Sequence, residues 1–112
     1  MEIDFFRKQN GDCPVQKYLE SLNPKLRAKT LRSIMLLEEF GENLRMPISK
    51  SLGNGLFELR TVFGSDTTRV IYFFVIDNKA ILTHGFTKKT QKTPPSEIEK
   101  ANEYRTEYFK NR

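Results

Sequence analysis

Cysteine and histidine each occur once in these 112 residues, as Cys13 and His84. A lone cysteine rules out an internal disulfide, and one Cys with one His argues against a dedicated zinc site. No apolar run is long enough to cross a bilayer. There is no phosphate-binding glycine loop, no zinc motif and no Ser-His-Asp arrangement. Internal repeats, low-complexity tracts and linkers are also missing, so a single domain over residues 1–112 is expected, working without metal or cofactor. The opening Met1-Glu2-Ile3-Asp4 is acidic and has no secretory pattern, which makes the cytoplasm the expected location.

Acidic residues are scarce in two places. None lies between Asp77 and Glu97, where Lys79, Lys88, Lys89 and Lys92 fall, and none occurs from Asn43 to Phe57, which holds Arg45 and Lys50. The chain carries a formal charge of +5, and that charge is concentrated as well as in excess. Such a balance favours nucleic acid, an anionic membrane or an acidic protein as partner. Hydrophobic residues at 38% and charged residues at 29% mark a globular chain.

The pattern predicts an α+β fold in the order β-α-α-β-β-β-α, an antiparallel sheet with helices packed mainly on one face. Ile3 to Phe6 reads as a short strand. Pro14 opens a helix whose stripe is Val15, Tyr18, Leu19 and Leu22. Asn23-Pro24 is an N-cap followed by proline, and Gly41 is the stop of that second helix. Period two then takes over in Leu56 to Phe63, Thr68 to Asp77 and Lys79 to Thr87, whose short links imply a meander. Gly53-Asn54-Gly55 reads as a turn. After Thr93-Pro94-Pro95, Ser96 and Glu99 have capping-box spacing for a last helix.

Alternation assigns faces. Phe57, Leu59, Thr61 and Phe63 form the core side of their strand, so Glu58 and Arg60 are expected on a face free of helices. Leu82, His84 and Phe86 form the more apolar set of the last strand, and Lys89 projects to the open face if the alternation continues. Arg69 stands at a strand rim, with Lys50 and Lys92 in flanking loops. A cationic face with one carboxylate suits a phosphate backbone, although Glu58 and Arg60 as a solvated ion pair fit the same pattern. His84, in an apolar set, reads as a buried, hydrogen-bonded histidine before it reads as a general base. Cys13 has no base near it in sequence, and Tyr72 in a central strand reads as core.

Three segments carry a resemblance. Lys50-Ser51-Leu52-Gly53-Asn54-Gly55-Leu56-Phe57-Glu58-Leu59-Arg60 resembles the K-x-L-x-x-G-L-x-E-L-R stretch of HigB-like toxins. Arg69-Val70-Ile71-Tyr72 is similar to the family's R-x-x-Y strand. Phe86-Thr87-Lys88-Lys89-Thr90-Gln91-Lys92-Thr93-Pro94 resembles its F-x-K-K-x-x-K-T-P signature and is the most specific of the three. The resemblance, to type II toxins of the RelE/HigB group, covers nearly the whole chain. It implies a RelE-like fold and metal-independent, ribosome-dependent cleavage of mRNA. It also implies neutralisation by a HigA-like helix-turn-helix antitoxin, with which the toxin forms a heterotetramer.

Carried over by position, Arg60, Arg69, Lys88, Lys89 and Glu58 are the candidate catalytic residues, and Lys50, Lys92 and His84 the candidate RNA contacts. The chain departs from the RelE pattern in placing Glu58 where a lysine would lie. It also has no tyrosine after the basic signature until Tyr104, which leaves the general base and acid open. The same superfamily contains ParE-like gyrase inhibitors that cut nothing, and plain RNA binding is a third reading.

Overall fold

The computed structural model describes residues 1–87 and 92–111. Its elements are β1 (Glu2–Phe5), α1 (Pro14–Ser21), α2 (Pro24–Phe40), β2 (Ser49–Gly53), β3 (Leu56–Phe63), β4 (Asp66–Val75), β5 (Lys79–Thr87) and α3 (Pro95–Lys110). The α+β reading holds, with one strand more than the sequence suggested. The five strands lie in the order β1-β5-β4-β3-β2. Neighbours are antiparallel except β1, which pairs parallel with β5. β4 is central, in keeping with residues that are apolar on both faces.

Local chemistry sets the boundaries. Asn23 caps α2 by accepting the Leu26 N–H at 2.9 Å, and Pro24 follows in the first turn, where a missing N–H costs nothing. Gly41 ends the helix at φ 54°. Arg27 of α2 donates from Nε to the Leu19 carbonyl and from Nη2 to the Leu22 carbonyl, both at 2.9 Å. The carbonyls left over at the end of α1 are thereby satisfied. α3 starts without the capping box: its N-cap is Pro94, which has no side-chain donor or acceptor, and Ser96 already lies inside the helix. The added strand β2 pairs with β3 across Asn54-Gly55, both at positive φ, the dipeptide that a tight hairpin favours. Lys50 therefore belongs to a strand and not to a loop.

The sheet separates two apolar clusters. On one face Leu59, Val70, Tyr72 and Leu82 meet Val15, Leu19, Leu26, Ile34 and Leu37 of α1 and α2. On the other, Leu56, Ile71, Phe73, Ile81 and Phe86 meet Phe6 and Ala101, with Ile98, Tyr104 and Tyr108 of α3 at the margin. Thr30 and Thr68 share a buried hydrogen bond of 2.9 Å at the α2–sheet contact, and Thr61 donates to Ser33 at 2.7 Å. These bonds satisfy hydroxyl groups that burial would otherwise strand.

Alternation breaks once, in β5. Ile71 pairs with His84 and Tyr72 with Leu82, so Thr83 is an extra residue opposite no partner. Thr83 anchors this bulge by donating from Oγ1 to the Ile71 carbonyl at 3.0 Å. The bulge corrects the sequence reading: Leu82 packs toward α1 and α2, whereas Phe86 joins the α3 cluster, as does the His84 ring beside it. It also turns Gly85 toward Tyr18 of α1. A Cβ at Gly85 would lie 2.2 Å from Tyr18 Cδ2, so only glycine admits this ring.

Candidate nucleic-acid interface

Strand register assembles the candidate residues on the α3 side of the sheet. Lys50 lies opposite Glu58, Glu58 opposite Ile71, and Ile71 opposite His84. In the next row of the same face Arg60 lies opposite Arg69, and Arg69 opposite Phe86. Two like charges directly across a ladder repel. Glu58 relieves this: its Oε1 accepts from Arg60 Nε at 2.7 Å and lies 3.9 Å from Arg69 Nη1. Its Oε2 accepts from Thr93 Oγ1 at 2.5 Å.

The face is not open as alternation alone suggested. α3 and the segment leading into it cover part of it, so Glu58 is fully buried, Arg69 is 3% exposed and Thr93 is 5% exposed. The solvated ion pair is thus excluded as a description of Glu58. Arg60, with 13% of its side chain exposed, is the arginine that reaches the surface, while Lys50 is half-buried and Lys92 exposed. The cluster is a buried carboxylate holding two guanidinium groups, one of them at the edge of solvent. A guanidinium oriented in this way through Nε can offer its remaining N–H groups to a phosphate.

His84 is buried and hydrogen-bonded, as its apolar neighbours implied, and it is not an exposed contact. Its Nε2 lies 3.1 Å from Glu97 Oε1 in the first turn of α3, and its Nδ1 lies 3.0 Å from Thr83 Oγ1. Burial pushes the imidazole pKa below 6.5, outweighing the Glu97 carboxylate, which favours the charged form. Tyr104 meets the ring edge-on at 5.7 Å and stacks on Phe6. The sequence reading left out Thr93, Glu97 and Tyr104 as parts of this site. Thr93 stood in the last motif, but nothing in one-dimensional spacing puts its hydroxyl on Glu58.

Other candidates lie elsewhere. Tyr72 is buried on the α1/α2 side, bonded to the Ser49 hydroxyl. Cys13 is a buried free thiol at the start of α1. Lys88 and Lys89 lie outside the described residues. No group of three or more His, Cys, Asp or Glu that could hold a metal ion occurs among the described residues, and no described helix is long and apolar enough to cross a membrane.

A comparison of the sequence with curated proteins returns no match. Residues 17–106 match the family described as phage-derived protein Gp49-like (DUF891). That span runs from α1 through the whole sheet apart from β1 and into α3, and it includes every described residue of the cluster. On this match the chain belongs to the Gp49-like family of phage-derived proteins, which is related to the RelE-type toxins.

Proposed function

We propose that this chain is a HigB-like toxin that cleaves mRNA on the ribosome without a metal and is neutralised by a HigA-like antitoxin. The observation that carries the reading is the Glu58-Arg60-Arg69 cluster, held on one sheet face beside Lys50, with Lys92 adjoining the Thr93 that bonds Glu58. In such a reaction the ribose 2′-hydroxyl attacks the adjacent phosphorus and the 5′-oxygen leaves. The enzyme must take up the 2′-proton, stabilise charge on the phosphoryl oxygens and protonate the leaving group.

Arg60, at the solvent edge, is the phosphate contact. Arg69 adds positive potential from beneath, and Glu58 holds both arginines in place. Glu58 is a weaker candidate for general base, because each of its oxygens already accepts a hydrogen bond within the protein. Lys88 and Lys89 are the proposed proton carriers on sequence grounds alone. Ordering of the message by the ribosome supplies positioning, which accounts for up to roughly 7–11 kcal/mol in well-oriented reactions.

The occupied oxygens of Glu58 also favour a second reading, a non-cutting ParE-like inhibitor of gyrase. Primer extension on message from a translating extract separates the two. Wild-type chain should produce discrete breaks only when ribosomes are active. Arg60→Ala should reduce cleavage by about two to three orders of magnitude, as loss of one charge-stabilising donor does. Lysine at the same place should recover only part, since it lacks the planar fork. Intact message beside inhibited supercoiling would reject the nuclease reading, and full cleavage by a folded Arg60→Ala would remove Arg60 from the site.

A further inference from the structure

The outer side of α2, turned away from the sheet, is unused by the site above. Ala28, Leu31, Arg32, Met35, Glu38 and Glu39 form an open surface patch there. Leu31 is 40% exposed and Met35 is 64% exposed. The charges along this side are segregated: Lys25 and Arg32 occupy the first part of the helix, and Glu38 and Glu39 its last turn, while Lys29 turns aside to the Phe63 ring. This order runs against the helix macrodipole, which favours acids at the start and bases at the end; the first turn has no acid and the last no base. Within the chain, the side chains of Arg32, Glu38 and Glu39 form no ion pair with any described residue.

We propose that this side of α2 is a self-association surface, on which a second copy of the chain docks with its α2 antiparallel. About a two-fold axis near Met35, the basic part of each helix lies beside the acidic part of the other. The opposed macrodipoles then attract, and Leu31 and Met35 are covered. Parallel docking would set like charge on like. A patch that is complementary to itself under a two-fold is what a closed dimer needs, and charge order selects this register over a slipped one. α2 packs on the sheet face opposite that of Glu58, but Arg32 at the edge of the patch shares a surface hollow with Arg60, so a docked second copy comes up to the rim of the candidate site.

Sedimentation of the purified full-length chain over a wide concentration range tests this. The expected result is a monomer–dimer equilibrium that weakens as salt is added. Arg32→Glu and Glu39→Arg should each weaken it by about tenfold or more, and the chain carrying both should regain it. Met35→Cys in a Cys13→Ser background should form a disulfide-linked dimer on mild oxidation. Arg32, Met35 and Glu39 are surface positions whose substitution leaves the melting temperature near wild type, so loss of association in the charge reversals cannot be assigned to unfolding. A wild-type chain that remains monomeric throughout overturns the proposal. So does a dimer that neither charge reversal affects, since it would form through another face.

Discussion

Glu58→Gln is the sharpest test of how the polar cluster is held. The substitution keeps size and one acceptor but removes the negative charge. In the protein Glu58 is fully buried, 2.7 Å from Arg60 Nε and 3.9 Å from Arg69 Nη1, with Arg60 and Arg69 opposite each other across β3 and β4. The amide leaves two guanidinium groups side by side, one of them 3% exposed, with their shared counter-charge gone. Its N–H₂ must also face either Arg60 or the Thr93 hydroxyl, where an acceptor was used. Breaking a buried pair from one side costs about 3–5 kcal/mol, because an uncompensated charge stays in the interior. For a chain of this size, at about 4 °C per kcal/mol, the melting temperature should fall by about 12–20 °C.

Thermal melts followed by circular dichroism measure this directly. A double-mutant cycle with Arg69→Met then isolates the coupling: Glu58→Gln should cost at least about 1 kcal/mol less once Arg69 is neutral. A fall in melting temperature below about 4 °C would equal the value of an exposed ion pair. It would refute the argument that Glu58 is a buried counter-ion.

Three further outcomes follow from the fold. Gly85→Ala should destabilise by about 1–3 kcal/mol through overpacking against the Tyr18 ring, and Tyr18→Leu should relieve part of the loss; a neutral melt would show that α1 can move aside. Asn23→Ala should cost about 1 kcal/mol by denuding the start of α2, with Asn23→Ser close to wild type in the same denaturant titration. The His84 pKa is depressed in the folded chain, so the unfolded chain binds the extra proton first. Stability from this group is present above pH 6.5 and declines as pH falls through that value toward the folded pKa; melts of wild type and His84→Gln over this range should converge at low pH, and parallel profiles would refute the assignment.

How far the sequence revealed the fold depends on where a single strand or helix carried its own signal. Leu56–Phe63 and Lys79–Thr87 could be bounded from their β-branched and aromatic content and their flanking turns. β2 could not, since Ser49–Gly53 has none of those residues. The Asn54-Gly55 dipeptide was the available clue that a strand must precede it. The Thr83 bulge left no mark, because an inserted residue shifts side chains without altering composition. Glu58 looked exposed because alternation records which side of a strand a residue takes, not what lies on that side; α3 and Thr93 cover it from far along the chain. His84 was legible as buried from Leu82 and Phe86, although the bulge means that Leu82 faces the other way. The motifs named the residues of the cluster, but the carboxylate that binds the two arginines together appears only in three dimensions.

The parallel pairing of β1 with β5 also bears on how the protein comes to be made. Everything from α1 to β4 is synthesised between these two strands. As the chain leaves the ribosome, Glu2–Phe5 has no partner until Lys79–Thr87 emerges. Contacts of such long sequence separation form late and slow the folding of small domains. β5 also supplies Ala80, Ile81, Leu82 and Phe86 to the two cores, so a nascent chain lacking it has neither side of the sheet complete. A truncated product ending before Lys79 would be unable to close its sheet, and the competence of this protein waits on translation of β5.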